Sequence, residues 1–149
     1  MSCTKFKISF HQQQCMADVF SRKKRSWIMS RIRSKNTSID RRMREMLSEA
    51  GARFEMYPDL FGSPDFQVGR NVLVFCDGDF WHGYRYAEKK RPAKKYWREK
   101  IEGNMRRDRK VSRRLRRDGW SVLRIWEHDI KRKPEMCKRK IMRKVAERK

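Results

Sequence analysis

A chain of 149 residues with 41 Lys+Arg against 18 Asp+Glu carries a formal charge of +23, which repels itself unless a polyanion screens it. Nucleic acid is the commonest such partner, because each phosphate neutralised releases a condensed counterion. The length and 38% hydrophobic content fit one domain with a modest core. An aromatic content of 11% with five Trp argues against a disordered basic tail, and no apolar run approaches the ~20 residues of a membrane span.

Residues 1–15 show no period and read as a disordered extension, with Met16 a possible alternative start. Residues 16–36 read as a basic N-terminal arm with scattered apolar positions, Trp27, Ile28, Met29 and Ile32, that orders on a partner. The remainder, 37–149, is the expected folded domain. Thr37 starts a helix whose apolar face is Ile39, Met43, Met46, Leu47 and Ala50, and Gly51 stops it. Residues 52–57 alternate as a strand does, and Pro58 to Pro64 is a loop. Asp65 to Val68 is a short strand, Gly69-Arg70-Asn71 a hairpin-like turn, and Val72 to Cys76 a buried central strand. A loop over 77–95 precedes a long helix over 96–117, striped by Trp97, Ile101, Asn104, Asp108, Val111 and Leu115. Val122 to Trp126 is a further strand, and 134–147 a basic terminal helix. This order predicts an α/β fold, a mixed central sheet flanked by helices.

The four cysteines, Cys3, Cys15, Cys76 and Cys137, form no C-x-x-C pair. They give no cysteine zinc signature and read as reduced thiols. No apolar leader is evident at the N-terminus, which suits a cytoplasmic, nucleoid-associated protein.

Residues 58–84 hold four acids, Asp59, Asp65, Asp77 and Asp79, and one base, Arg70, while residues 89–117 hold fifteen Lys/Arg against three acids. An acidic island on a DNA-binding surface weakens binding unless its carboxylates hold a divalent cation against the phosphate. Mg²⁺ prefers one or two carboxylates plus phosphate oxygens and water, and stabilises charge on a scissile phosphate. The plain alternative is a set of surface loop aspartates. Asp65 follows Pro64 just before a strand, and Asp77 closes the next strand, so antiparallel pairing could bring both to one edge. Asp108 and Asn104 interrupt an apolar stripe, and a buried carboxylate needs a partner; the alternative is a stripe that widens into solvent. Asp40 lies in Thr37-x-x-Asp40, a capping box. His82 is the natural side chain to take a proton from water near neutral pH, although a lone loop histidine is commonly just polar. Phe80, Trp81, Tyr84, Tyr86 and Trp97 suggest stacking on bases or insertion between them, with core packing the alternative for Phe80 and Trp97.

Several segments together resemble the very short patch repair (Vsr) endonucleases. They are Met16-Ala17-Asp18-Val19, the run Met29 to Thr37, Gly62-Ser63-Pro64-Asp65-Phe66, Phe80-Trp81-His82-Gly83, Tyr96-Trp97-Arg98-Glu99-Lys100-Ile101, Asn104-x-x-Arg107-Asp108 and Asp118-Gly119-Trp120-x-Val122-Leu123. The resemblance runs from about Met16 to Ile130. It implies a PD-(D/E)xK restriction-endonuclease-like nuclease fold, Mg²⁺ (with Mn²⁺ able to substitute), and nicking of one strand of double-stranded DNA at a T:G mismatch by a monomer. It implies that Asp65 ligates the metal, helped by the backbone carbonyl of Cys76, that His82 is the general base and that Asp108 is its carboxylate partner. Asp40 stands where the family has an active-site glutamate. Phe80, Trp81 and Trp97 match aromatics that insert beside the mismatch; Met29 and Ile32 match an arm entering from the minor groove; Lys100 and Asn104 fall among the DNA-binding positions. Two departures are informative. The family's zinc ligands are replaced by Asp79, Tyr84, Tyr86 and His128, so no structural zinc is expected. The first active-site histidine is replaced by Asp77, which is expected to serve as a further metal ligand. A nicking or homing-type endonuclease with another target, and an inactive DNA-binding module, remain open as rival readings.

Overall fold

In the computed structural model, residues 21–31, 35–88 and 95–147 are described. The elements in chain order are α1 (Arg22–Arg31), α2 (Ser38–Glu49), β1 (Phe54–Met56), β2 (Phe66–Val68), β3 (Val72–Asp77), α3 (Lys95–Arg117), β4 (Ser121–Trp126), α4 (Glu127–Arg132) and α5 (Pro134–Ala146). The four strands form one sheet in the order β1-β2-β3-β4. The first three pair antiparallel and β3 pairs parallel with β4. A parallel neighbour needs a crossover, and α3 supplies it. The result is the mixed, helix-flanked sheet expected from the element order.

The period of two along β3 divides the core. Val72 and Val74 lie with Met43, Met46 and Leu47 of α2, Ile130 of α4, and Cys137 and Ile141 of α5. Leu73 and Phe75 point the other way, against Val111 and Leu115 of α3. Alternate side chains of a strand face opposite sides of its sheet, so Asp77 belongs to the α3 side. The two faces therefore carry different helices and different site residues.

Some expectations shift. The segment read as an arm is helical over Arg22–Arg31, with Trp27 exposed and the Arg31 guanidinium 4.7 Å from its ring. The extension 1–15 lies outside the described residues, as do 16–20 and 32–34 of the arm, Ile32 among them. The first strand is three residues long rather than six, because Tyr57 takes a positive φ of 54°. The short helix α4 escaped sequence reasoning: its one buried residue is Ile130, too little to make a period. Among the described residues no helix is long and apolar enough to cross a membrane.

Candidate active site

The α2 side of the sheet end gathers Asp40, Asp65 and Cys76, each with a possible ligand atom within 4.8 Å of the others. Asp40 is the third helical residue of α2 and completes a capping box with Thr37, so its cap reading holds. Its Oδ2 also accepts the Thr37 hydroxyl at 2.9 Å and the Tyr57 hydroxyl at 3.0 Å. Every donor that meets Asp40 among the described residues falls on Oδ2. Asp65 behaves alike: its Oδ2 accepts the Cys76 amide at 2.7 Å. One oxygen of each carboxylate is therefore fixed by the protein, and the other is left to a different partner. Asp65 is pushed up to about 6, first by burial and then by the charges of Asp40 and Asp77, against the Cys76 amide and Arg124. A divalent cation between two such carboxylates removes that penalty. Burial also drives the Cys76 thiol well above its ordinary range, so the protonated sulfur is a poor partner and the donor set is one of hard oxygens. This chemistry fits Mg²⁺ or a similar cation.

The α3 side holds the second group. His82 Nδ1 lies 2.6 Å from Asp108 Oδ2 and 3.6 Å from Asp77 Oδ1. Burial raises Asp108, but the hydrogen bond and charge of His82, with Arg124 and Arg107, outweigh it and hold this carboxyl below its usual value. An ionised Asp108 accepts, so Nδ1 carries the proton, and in the neutral ring the lone pair then falls on Nε2. The odd carboxylate in the apolar stripe of α3 has its partner.

Asp77 goes elsewhere than expected. Its carboxylate is paired on both oxygens by Arg124, Nε to Oδ2 and Nη2 to Oδ1, each at 2.6 Å. It is absent from the Asp40–Asp65–Cys76 group, because a one-residue step from Cys76 reverses the face of the strand. Asp65 stands at the junction, near enough to feel Asp40 on one side and Asp77 and Arg124 on the other. Sequence reasoning missed two residues here, Tyr57 and Arg124. Arginine at the fourth position of a six-residue apolar strand, Ser121–Trp126, was the available signal for the second.

The loop that carries His82 is a chain of turns: His82 donates its amide to Gly78, and Tyr84 to Asp79. It is pressed onto α3 at Gly83, where φ is +72° and a Cβ would lie 2.6 Å from Met105 Sδ. Only glycine serves there. Asn104 donates its amide to the Trp81 carbonyl at 2.9 Å, so it ties the loop to α3. Phe80, Trp81 and Trp97 form one cluster, with ring centroids 5.0, 6.2 and 5.7 Å apart. Trp97 is buried at its base, whereas Phe80 and Trp81 remain partly exposed. Lys100 is exposed on α3, and Met29 is half-buried on α1. Beside this loop, His128 Nδ1 meets Asp79 Oδ1 at 2.8 Å and the Tyr84 ring lies 4.2 Å from the imidazole. Tyr86 instead donates its hydroxyl to Glu102 at 3.1 Å. Packing and a hydrogen bond thus join the aromatic loop to α4.

A mixed sheet with paired acids at one end and a carboxylate-backed histidine beside them places the protein among the α/β nucleases. A family profile described as "DNA mismatch endonuclease Vsr" matches residues 17–88. The chain is 33% identical over 136 residues to "DNA mismatch endonuclease Vsr" of Escherichia coli (strain K12), covering 89% of this chain and 87% of that one. It is 33% identical over 136 residues to "Type II nicking enzyme V.NmeDIP" of Neisseria meningitidis serogroup C, covering 88% and 92%. Against "Type II nicking enzyme V.XorIIP" of Xanthomonas oryzae pv. oryzae it is 34% identical over 119 residues, covering 77% and 88%. The chain belongs to the Vsr DNA mismatch endonuclease family and is an endonuclease.

Proposed function

We propose that this endonuclease nicks one strand of duplex DNA at a T:G mismatch, with Mg²⁺ held by Asp65 and Asp40 and with His82 as general base. The observation that carries the reading is the pair of carboxylates Asp40 and Asp65, each with one oxygen bonded to the protein and the other without a donor among the described residues, next to a His82–Asp108 dyad. The Cys76 backbone carbonyl completes the proposed ligand set. When bound, the cation stabilises charge on the scissile phosphate and lowers the pKa of water.

The chain's own residues do the rest. Asp108 fixes the imidazole with Nδ1 protonated, so Nε2 accepts a proton from the attacking water. Tyr57 and Thr37 hold Asp40 against rotation. The Phe80–Trp81–Trp97 cluster offers π faces at the level of the histidine, and inserts beside the mismatched base pair. Lys100 and the basic face of α3 grip phosphates, with Met29 of α1 on the opposite groove. Hydrolysis leaves a 5′-phosphate and a 3′-hydroxyl. The fold contributes all these groups from one chain, which supports action as a monomer.

The test is nicking of a T:G duplex and its T:A control, with Mg²⁺ or with EDTA, by wild type, Asp65→Ala and His82→Ala. Cleavage of one strand of the T:G duplex by the wild type alone, abolished by EDTA, is the expected result. Equal cleavage of both duplexes refutes mismatch selectivity, and wild-type rates in both variants refute the site.

A further inference from the structure

His82 sits on a loop of turns, the least rigid kind of backbone from which to aim a general base. Asp108 alone does not aim it, because a half-buried carboxylate on α3 rotates unless both oxygens are taken. Both are. Oδ2 meets His82 Nδ1 at 2.6 Å and Oδ1 meets Arg124 Nη2 at 3.0 Å. Arg124 is in turn held on several sides. Asp77 binds its Nε and Nη2 side-on, and the guanidinium lies 4.7 Å from the centre of the Phe75 ring. Asp77 and Arg124 stand on adjacent parallel strands in which Phe75 pairs with Arg124. Such a planar fork loses little entropy per bond it makes, unlike an ammonium.

The charges lead to the same residue. The groups facing His82 are Asp77 from β3, Asp108 from α3, and, through those carboxylates, Arg124 from β4, with Arg107 of α3 also acting on Asp108. Two carboxylates thus flank one imidazole, Asp108 at 2.6 Å and Asp77 at 3.6 Å from Nδ1. The guanidinium between them offsets one of those charges.

We propose that Arg124 is a positioning residue for His82: anchored by Asp77, it locks the Asp108 carboxylate and thereby holds the imidazole in the Nδ1–H, Nε2-acceptor form. Asp77 is then an anchor for this arginine and not a metal ligand. The inference rests on the reading of His82 as the general base, and it adds Arg124 to that site.

The experiment uses the full chain with Arg124→Lys, Arg124→Gln and the double variant Asp77→Asn/Arg124→Gln. The double variant removes the two paired charges together, so it avoids the unpaired buried Asp77 that Arg124→Gln leaves behind. Two readouts are taken on each folded variant: the His82 tautomer from ¹⁵N–¹H correlation spectra, assigned with His82→Gln, and single-turnover nicking as a function of pH and salt. In the wild type the neutral ring shows Nδ1–H only. In the double variant the two tautomers mix, and the nicking rate falls about 10- to 100-fold with duplex affinity unchanged. Arg124→Lys keeps the charge but not the fork, so its rate falls while its pH profile stays. Arg124→Gln loses both the charge and the fork, so its rate falls at least as far. A double variant with the wild-type tautomer or the wild-type rate overturns the proposal. So does a drop of about one in the salt slope of binding, which would make Arg124 a phosphate contact. If the wild type nicks no duplex, the proposed function fails on its own, and the tautomer spectra still decide the role of Arg124.

Discussion

Replacing Asp65 by Asn should stabilise the metal-free protein while destroying its activity. The carboxyl is pushed up from an ordinary 3.8 to about 6, burial being the largest cause and the Asp40 charge adding to it. A shift of that size corresponds to a penalty of roughly 3 kcal/mol once the group is ionised, taken as an upper figure. The folded-state value is the higher one. The penalty is therefore absent below about pH 4, grows as pH rises through about 6, and is constant above that. Asn keeps an oxygen for the Cys76 amide and removes the charge, so half the penalty, about 1–2 kcal/mol, survives as a gain. For a chain of this size that raises Tm by about 3–8 °C at pH 8. Thermal melts in EDTA between pH 4 and pH 8 measure it: the variant should lie above the wild type at pH 8, and the two should converge toward pH 4. Added Mg²⁺ should raise the wild-type Tm and leave the variant unmoved, since only the wild type has the site. A variant that melts below the wild type at pH 8 in EDTA, or a gap that does not vary with pH, would refute the picture of two carboxylates held together at a cost.

Asp108→Asn removes the charge that favours an Nδ1–H imidazole; nicking should fall about 100-fold or more with duplex affinity little changed, read from single-turnover rates against binding. Gly83→Ala forces a Cβ to 2.6 Å from Met105 Sδ at a φ of +72°; chemical denaturation should show a loss of about 1–3 kcal/mol, accompanied by lower activity as the His82 loop lifts from α3. Thr37→Ala removes the cap of α2 and one of the donors on Asp40, so denaturation should register a loss of about 1 kcal/mol and the Mg²⁺ requirement should rise. Trp81→Ala takes out one ring of the aromatic cluster; the preference for T:G over T:A duplexes should shrink while EDTA-sensitive nicking persists.

Much of this molecule is legible in the order of its residues. The 3.6-residue period marks α2 and the long α3, the valine-rich run Val72–Asp77 marks the central strand, and an acidic island in a chain of +23 marks where a cation belongs. The Thr37–Asp40 spacing gives the cap, and the polar interruption of the α3 stripe at Asp108 signals that a partner waits there. These are local signals, written in spacings of two to four residues. What they leave open is which of two faces a side chain takes at the end of a strand, and which distant residue meets it. Asp77 reads as a ligand beside Asp65, but one step past Cys76 it turns to the α3 face and closes on Arg124, forty-seven residues away. Tyr57 joins Asp40 for a similar reason, across a loop and through a positive φ. Sequence thus determined the chemistry available and the elements that carry it. Only the tertiary structure decided how four aspartates divide between the Asp40–Asp65 pair and the surroundings of His82, because that division depends on strand parity and long-range pairing, which no local pattern encodes.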